Sequence, residues 1–370
     1  MDTAKSLTYI ALPLIGLSLA YKRRKLSQFA FIPIKAFHAL VHRALYPNGG
    51  LSKEMLSQAR HRELLWLSNH GKEVSAELLS LLQYPETQFL NRLRDSWIRP
   101  LKGRSLFLKT SDLRKLDAVW IPAHGVKTEK TMLLFHGNAQ TLDDLRFHAQ
   151  FFLKEGFNVL LMTLGGYPGS SHTVPTSELT AYKDVDAALH FLMDSLKIPP
   201  SQIIAYGFSL GAALAIYAGS LANIAVIADQ PFTQLSEMSE SLLQNYLPSL
   251  QQKFKTVAKS LFKMTFPRHP RRLWWKKRVA HEAVLKDGYN NAQKVKELKG
   301  PLLTIGASED LLMTYTFKGK RRNFAQDLAL LHPKGLYLPL KGKHRAVFYE
   351  DPLVAKEVVL FIKQVLEKPF

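Results

Sequence analysis

A serine hydroxyl is a poor nucleophile unless it is held exposed beside a base, so a serine at a sharp bend after a strand stands out. Ser209 is placed that way, in Gly207-Phe208-Ser209-Leu210-Gly211, after the apolar run IIAY and before the helix-forming AALAIYAGS. The two glycines let the backbone turn tightly enough to present the side chain, and the G-x-S-x-G pattern gains weight from the strand before it and the helix after it. His344 follows the apolar run GLYLPL, in Lys341-Gly342-Lys343-His344. It is the candidate base, taking the Ser209 proton and later returning it to a leaving group. Asp310 ends Ala307-Ser308-Glu309-Asp310, beyond PLLTIG, and is the candidate acid that fixes the imidazole tautomer. Glu309 is its near rival, and Asp229, at the end of IAVIAD, is a second candidate acid.

Attack on a carbonyl makes its oxygen negative, and backbone N–H groups aimed at that oxygen contribute a few kcal/mol. The run TMLLF leads into His136-Gly137-Asn138, and the N–H groups of Asn138 and Leu210 are the candidate pair. An ordinary strand-to-loop turn is the alternative at Asn138. His136 is read as a brace for that loop and not as the base. The stretch GGYPGSS, Gly165 to Ser171, has two readings, a backbone cradle for a phosphate or a turn before the next helix.

These residues need elements to position them. SLFLKT and LDAVWIPA predict a strand pair joined by the turn SDLRK. Short apolar runs then alternate with segments of helical period. TMLLF precedes a helix near Asp143 to Lys154, and FNVLLMT one near Glu178 to Leu196. IIAYGF precedes a helix from Leu210, and IAVIAD and PLLTIG precede one near Asn323 to Leu331. GLYLPL and a last helix from Leu353 complete the series. Strands of this length joined by helices imply a mostly parallel sheet covered on both faces, with its chemistry at the carboxyl ends of the strands.

At this point the chain resembles the α/β-hydrolase superfamily, through FHGNAQ, YPGSSHTVPTSELTAYKDVDAALHFL, YGFSLGAALA, IGASED and GKH. It is most similar to membrane-anchored serine hydrolases with an HGN motif, of the lysophospholipase and depalmitoylase kind, over residues 104–367. The resemblance implies an eight-stranded sheet with a helical lid insertion, and a Ser-Asp-His esterase or thioesterase that needs no cofactor. Two departures stand out. Relatives carry an Asp-Tyr-Arg-Gly-like turn after the fourth strand, where this chain has Thr163-Leu164-Gly165-Gly166; and residues 232–299 form a long stretch where the superfamily inserts its lids.

Charge supplies the rest of the reading. The chain has 370 residues, 46% of them apolar, and a formal net charge of +20. Residues 1–103 hold 15 cations and 7 acids, residues 253–280 hold 10 cations and no acid, and the remainder is nearly balanced. With no cysteine there is no disulfide, thiol nucleophile or thiolate metal site. Ser6 to Tyr21 is uncharged and followed by Lys22-Arg23-Arg24-Lys25. As a helix it reaches about 24 Å, short of a hydrocarbon core of about 30 Å. A membrane anchor is the leading reading, and a cleaved secretory signal and a buried helix are its rivals. If the segment spans, the cations after it place the body on the cytoplasmic side.

Organisation along the chain follows: a membrane-associating segment over 1–50, a helical extension over 51–103, the two parts of the core over 104–231 and 300–370, and a basic lid over 232–299. The lid contains Arg271, Arg272, Trp274, Trp275, Lys276, Lys277 and Arg278. Indole rings favour the boundary between hydrocarbon and water, and cations favour anionic lipid, so these residues are candidates for membrane or substrate contact. A solvated lid is the plain alternative. Trp and Arg could also stack on single-stranded nucleic acid, but no nucleic-acid-binding motif accompanies them. The expected partners are therefore a lipid or acylated substrate and a membrane surface, and not nucleic acid. A hydrolase-fold scaffold without activity is the alternative function.

Overall fold

A computed structural model describes residues 86–367 apart from 124–127, 139, 172, 174–176, 236, 239–240, 242–287 and 318. The apolar N-terminal run, most of the 51–103 extension and the tryptophan-centred residues 271–278 lie outside the described residues. Helix α1 (Glu86–Ile98) leads into the antiparallel pair β1 (Arg104–Lys109) and β2 (Lys115–Ile121). Five strands follow whose residues are all buried: β3 (Thr131–Phe135), β4 (Asn158–Met162), β5 (Ile203–Phe208), β6 (Ala225–Asp229) and β7 (Leu302–Ala307). Continuous apolar runs of this length, without polar alternation, suit a sheet buried on both faces. The short hairpin β8 (Thr314–Phe317) and β9 (Lys320–Asn323) and the edge strand β10 (Leu336–Leu340) complete the set.

The sheet has eight strands in the order β1-β2-β4-β3-β5-β6-β7-β10, antiparallel at β1-β2-β4 and parallel from β4 to β10. Strand residues alternate between two cores. Leu133, Phe135, Ala205 and Val226 face one side, with residues of α3 (Glu178–His190), α4 (Leu210–Ala222), α5 (Asn291–Glu297) and α6 (Phe324–Leu331). Met132, Leu134, Ile204 and Ile227 face the other, with α1, α2 (Arg146–Lys154) and α7 (Pro352–Glu367). Each such aliphatic side chain contributes about 1.5–3 kcal/mol when fully buried, so helices on both faces are required.

The mostly parallel eight-stranded sheet covered by helices is the architecture expected from the sequence. Three details differ. The helix expected over Glu178 to Leu196 ends as an α-helix at His190 and continues as a π turn over Phe191–Ser195. The β8-β9 hairpin, TYTF and KRRN, was not among the strands read from the sequence. Residues 288–299, read as the end of the lid, belong to the core: Tyr289 is buried and α5 packs on α4. The parallel step from β6 to β7 needs a crossover element, and α5 supplies it. Among the described residues no helix is long and apolar enough to cross a membrane.

Candidate active site

The parallel strands end at one rim, and the candidate residues follow those ends. Ser209 comes directly after β5 and caps α4 with φ 55° and ψ −111°, a conformation that non-glycine residues rarely adopt. The flanking glycines are required by close approach. A Cβ on Gly207 would lie 2.0 Å from the Gly211 carbonyl oxygen, and one on Gly211 would lie 2.2 Å from that of Phe135. The Ser209 N–H donates to Asp229 O at 2.8 Å, fixing the bend to β6.

Asp310 and His344 meet. His344 Nδ1 lies 2.7 Å from Asp310 Oδ2, and Oδ1 accepts N–H groups from Leu312 at 2.8 Å and Met313 at 3.2 Å. The carboxylate is thus aimed by its own backbone turn, and its side chain is fully buried. Glu309, the near rival, is exposed. Asp229 is engaged elsewhere: its Oδ2 accepts the Tyr206 hydroxyl at 2.7 Å, and burial pushes its carboxyl up to about 7. The His344 ring packs on Phe208, next to Ser209 in sequence, with ring centroids 5.1 Å apart. Among the described residues Ser209 Oγ and His344 Nε2 have no hydrogen-bond partner, with each other or elsewhere. Bonds of this type often form only when substrate is bound.

Leu210 is the first residue of α4, where helix geometry leaves N–H groups unpaired. Neither its N–H nor that of Asn138 has an acceptor among the described residues. The Asn138 side chain accepts the Tyr167 hydroxyl at 2.9 Å. His136 is fully buried; its Nε2 accepts the Leu164 N–H at 3.0 Å, so its proton sits on Nδ1 and goes to Gly137 O at 2.8 Å. The ring therefore braces the loop, as its position in the sequence implies.

The turn at Thr163 to Gly166 is rebuilt from other parts of the chain. The Gly165 N–H donates to Asp184 Oδ2 at 2.8 Å, and Asp184 pairs with Arg114 at 2.6 Å. The phosphate-cradle reading of residues 165–171 is corrected by the same geometry. The amides of Gly165, Gly166, Tyr167, Ser170 and Ser171 all donate within the protein, which makes this stretch a turn. Neither Arg114 nor Gln230, which bonds the backbone after His344, was picked out by the sequence.

No family model matches the chain. Over 162 residues it is 28% identical to an uncharacterized protein of Mycobacterium tuberculosis, covering 40% of this chain and 56% of that protein. The chain thus spans a little over half the length of the curated relatives it matches. An esterase of Pyrococcus furiosus superposes with a TM-score of 0.53 at 20% identity, covering 73% of this chain and 95% of that one. An alpha-beta hydrolase of Vibrio vulnificus superposes with a TM-score of 0.52 at 18% identity, covering 73% and 85%. With the sheet order above, these likenesses show an α/β-hydrolase fold.

Proposed function

We propose that the protein is a serine hydrolase that cleaves an acyl ester or thioester of a lipid-like substrate at a membrane surface. The observation that carries this reading is the 2.7 Å bond between His344 and Asp310, with the His344 ring packed on Phe208, the residue before a serine held at φ 55°. A fold alone does not fix an activity, so the reading stands on these side chains.

The chemistry follows from their roles. Ser209 Oγ attacks the carbonyl carbon while its proton passes to His344 Nε2, and the N–H groups of Asn138 and Leu210 hold the oxyanion. Asp310 keeps the other ring nitrogen protonated and balances the imidazolium. Collapse breaks the bond to the alkoxide or thiolate leaving group, which takes the Nε2 proton and leaves an acyl-serine. Water then attacks the acyl-serine, giving its proton to Nε2, and the acid departs as Ser209 regains a proton.

The lipid and membrane part is supported by sequence and charge. The apolar run before Lys22 and the tryptophans among cations at 271–278 suit an interface. Charge near the loop of His344 agrees: residues 318–345 hold eight cations and one acid, and Lys320 on β9 and Lys341 and Lys343 just before His344 are exposed.

A fluorophosphonate probe tests the chemistry. Wild type is expected to be labelled and Ser209→Ala is not, whereas equal labelling of both excludes this serine. The second reading, an inactive scaffold, is favoured by the missing bond between Ser209 Oγ and His344 among the described residues. Undiminished cellular function of Ser209→Ala would support it.

A further inference from the structure

Gln230 directly follows β6, is fully buried, and has φ 50°. Its backbone N–H donates to Ile305 O at 2.7 Å, which ties it to β7. Its side chain reaches the loop after β10. Oε1 accepts the Arg345 N–H at 3.0 Å, and Nε2 donates to Ala346 O at 3.0 Å. Its orientation is fixed by these partners, because a flipped amide would set donor against donor and acceptor against acceptor. Asp229, one residue earlier, accepts the Ser209 N–H through its backbone oxygen at 2.8 Å. The pair Asp229-Gln230 thus holds the backbone of Ser209 with one bond and the two residues after His344 with two.

We propose that Gln230 is a positioning residue that sets the His344 imidazole against Ser209; this rests on reading those two as base and nucleophile. The ring itself is held by its bond to Asp310 and its contact with Phe208, and both let it swing if the loop shifts. The loop is turned tightly, with Gly342 at φ 125° and Arg345 at φ 84°, and the Gln230 amide pins its far side. The position calls for a neutral group with both a donor and an acceptor. An apolar residue leaves both backbone groups unpaired, and an ionised carboxylate lacks the donor.

The test uses the full chain with p-nitrophenyl acetate as substrate and a fluorophosphonate as active-site probe. Gln230→Met keeps the bulk and removes both bonds. Its kcat and labelling rate are expected to fall about 10- to 100-fold, the loss that a shift of about 1 Å produces, with KM nearly unchanged. Gln230→Glu separates positioning from packing. As a neutral acid it keeps donor and acceptor, so it is expected to retain activity at lower pH and to lose it on ionisation, on an alkaline limb absent from wild type. The titratable groups around it, Asp229, Tyr206, Asp310, His344, Arg345 and Tyr349, are the same in both proteins, so the difference between the profiles belongs to position 230. Wild-type kcat and labelling in a folded Met variant, or a wild-type profile in the Glu variant, overturns the proposal. A labelled wild type with unaffected variants overturns this inference alone, while a wild type that the probe never labels overturns the hydrolase reading as well.

Discussion

At the scale of single residues, strain and burial set the most direct expectations. Ser209 holds φ 55° without being glycine, which costs about 1–3 kcal/mol and persists where function requires it. Ser209→Gly is therefore expected to abolish fluorophosphonate labelling and yet raise Tm by about 2–4 °C for each kcal/mol recovered. Calorimetry beside a labelling assay checks both; a lower Tm would show that the bend is unstrained. His148 gives the pH counterpart. It is packed against Tyr206, Phe348 and Tyr349, its Nδ1 has no hydrogen-bond partner among the described residues, and burial lowers its pKa to about 3. The unfolded chain titrates this imidazole near 6.5, so between about 6.5 and 3 the unfolded state binds more protons and stability falls as pH falls. From pH 7 to pH 5 the loss is about 2 kcal/mol. Asp229, raised to about 7, acts in the opposite direction, being stabilised by its proton as pH falls. Comparing His148→Phe with wild type isolates the histidine: the change in Tm from pH 7 to pH 5 should be about 4 °C more favourable in the variant than in wild type.

At the scale of elements, the link between the β1-β2 turn and α3 is Arg114. Its guanidinium pairs with Asp184 at 2.6 Å, donates to Thr180 O at 3.0 Å and to Asp112 at 2.9 Å, and fills the space beside Gly165. A Cβ on Gly165 would lie 2.2 Å from Arg114 Nη1. Arg114→Leu strands a buried carboxylate and is expected to cost about 3–5 kcal/mol in urea unfolding, and Arg114→Leu with Asp184→Leu is expected to recover most of that. Gly165→Ala should be costly with Arg114 present and nearly neutral in Arg114→Leu; equal costs in both backgrounds would mean that the guanidinium does not occupy that slot. This pair also shows what a sequence can and cannot reveal. TMLLF, IIAYGF and PLLTIG were legible because burial on both faces forces continuous apolar runs, and the residues at their carboxyl ends were legible through position. Arg114 and Gln230 were not. Their partners lie 66 and 115 residues away, and no local pattern joins a lone Arg or Gln to backbone groups at such distance. In the β8-β9 hairpin, β9 was hidden for a different reason: KGKRRN is polar and charged and lacks the alternation that marks a half-buried strand, which leaves the four residues of β8, TYTF, without a recognisable partner.

At the scale of the whole molecule, the charge has an address. Beyond residues 1–103, 253–280 and 318–345, the chain carries 17 cations and 22 acids, so the net +20 is concentrated in three segments. The structure describes the third in full except for residue 318. It takes in β9, α6 and β10 and ends on the loop that carries His344. Arg321 ties this segment to the candidate acid, donating to Asp310 O at 3.4 Å and to Thr314 Oγ1 at 3.0 Å. On the proposed function, a lipid-like ester presented in an anionic vesicle is drawn to the exposed lysines of this segment, each cation near the surface contributing about 1 kcal/mol at low salt. Lys320, Lys341 and Lys343 are exposed and touch none of the reacting groups, so changing all three to Gln is expected to raise KM in anionic vesicles about tenfold while leaving kcat alone. Raising salt from 0.05 M to 0.5 M is expected to erase most of that difference, because screening shortens from more than about 10 Å to a few ångströms. In zwitterionic vesicles the same variant should match wild type. If KM is unchanged in anionic vesicles at low salt, these lysines take no part in recognising the surface.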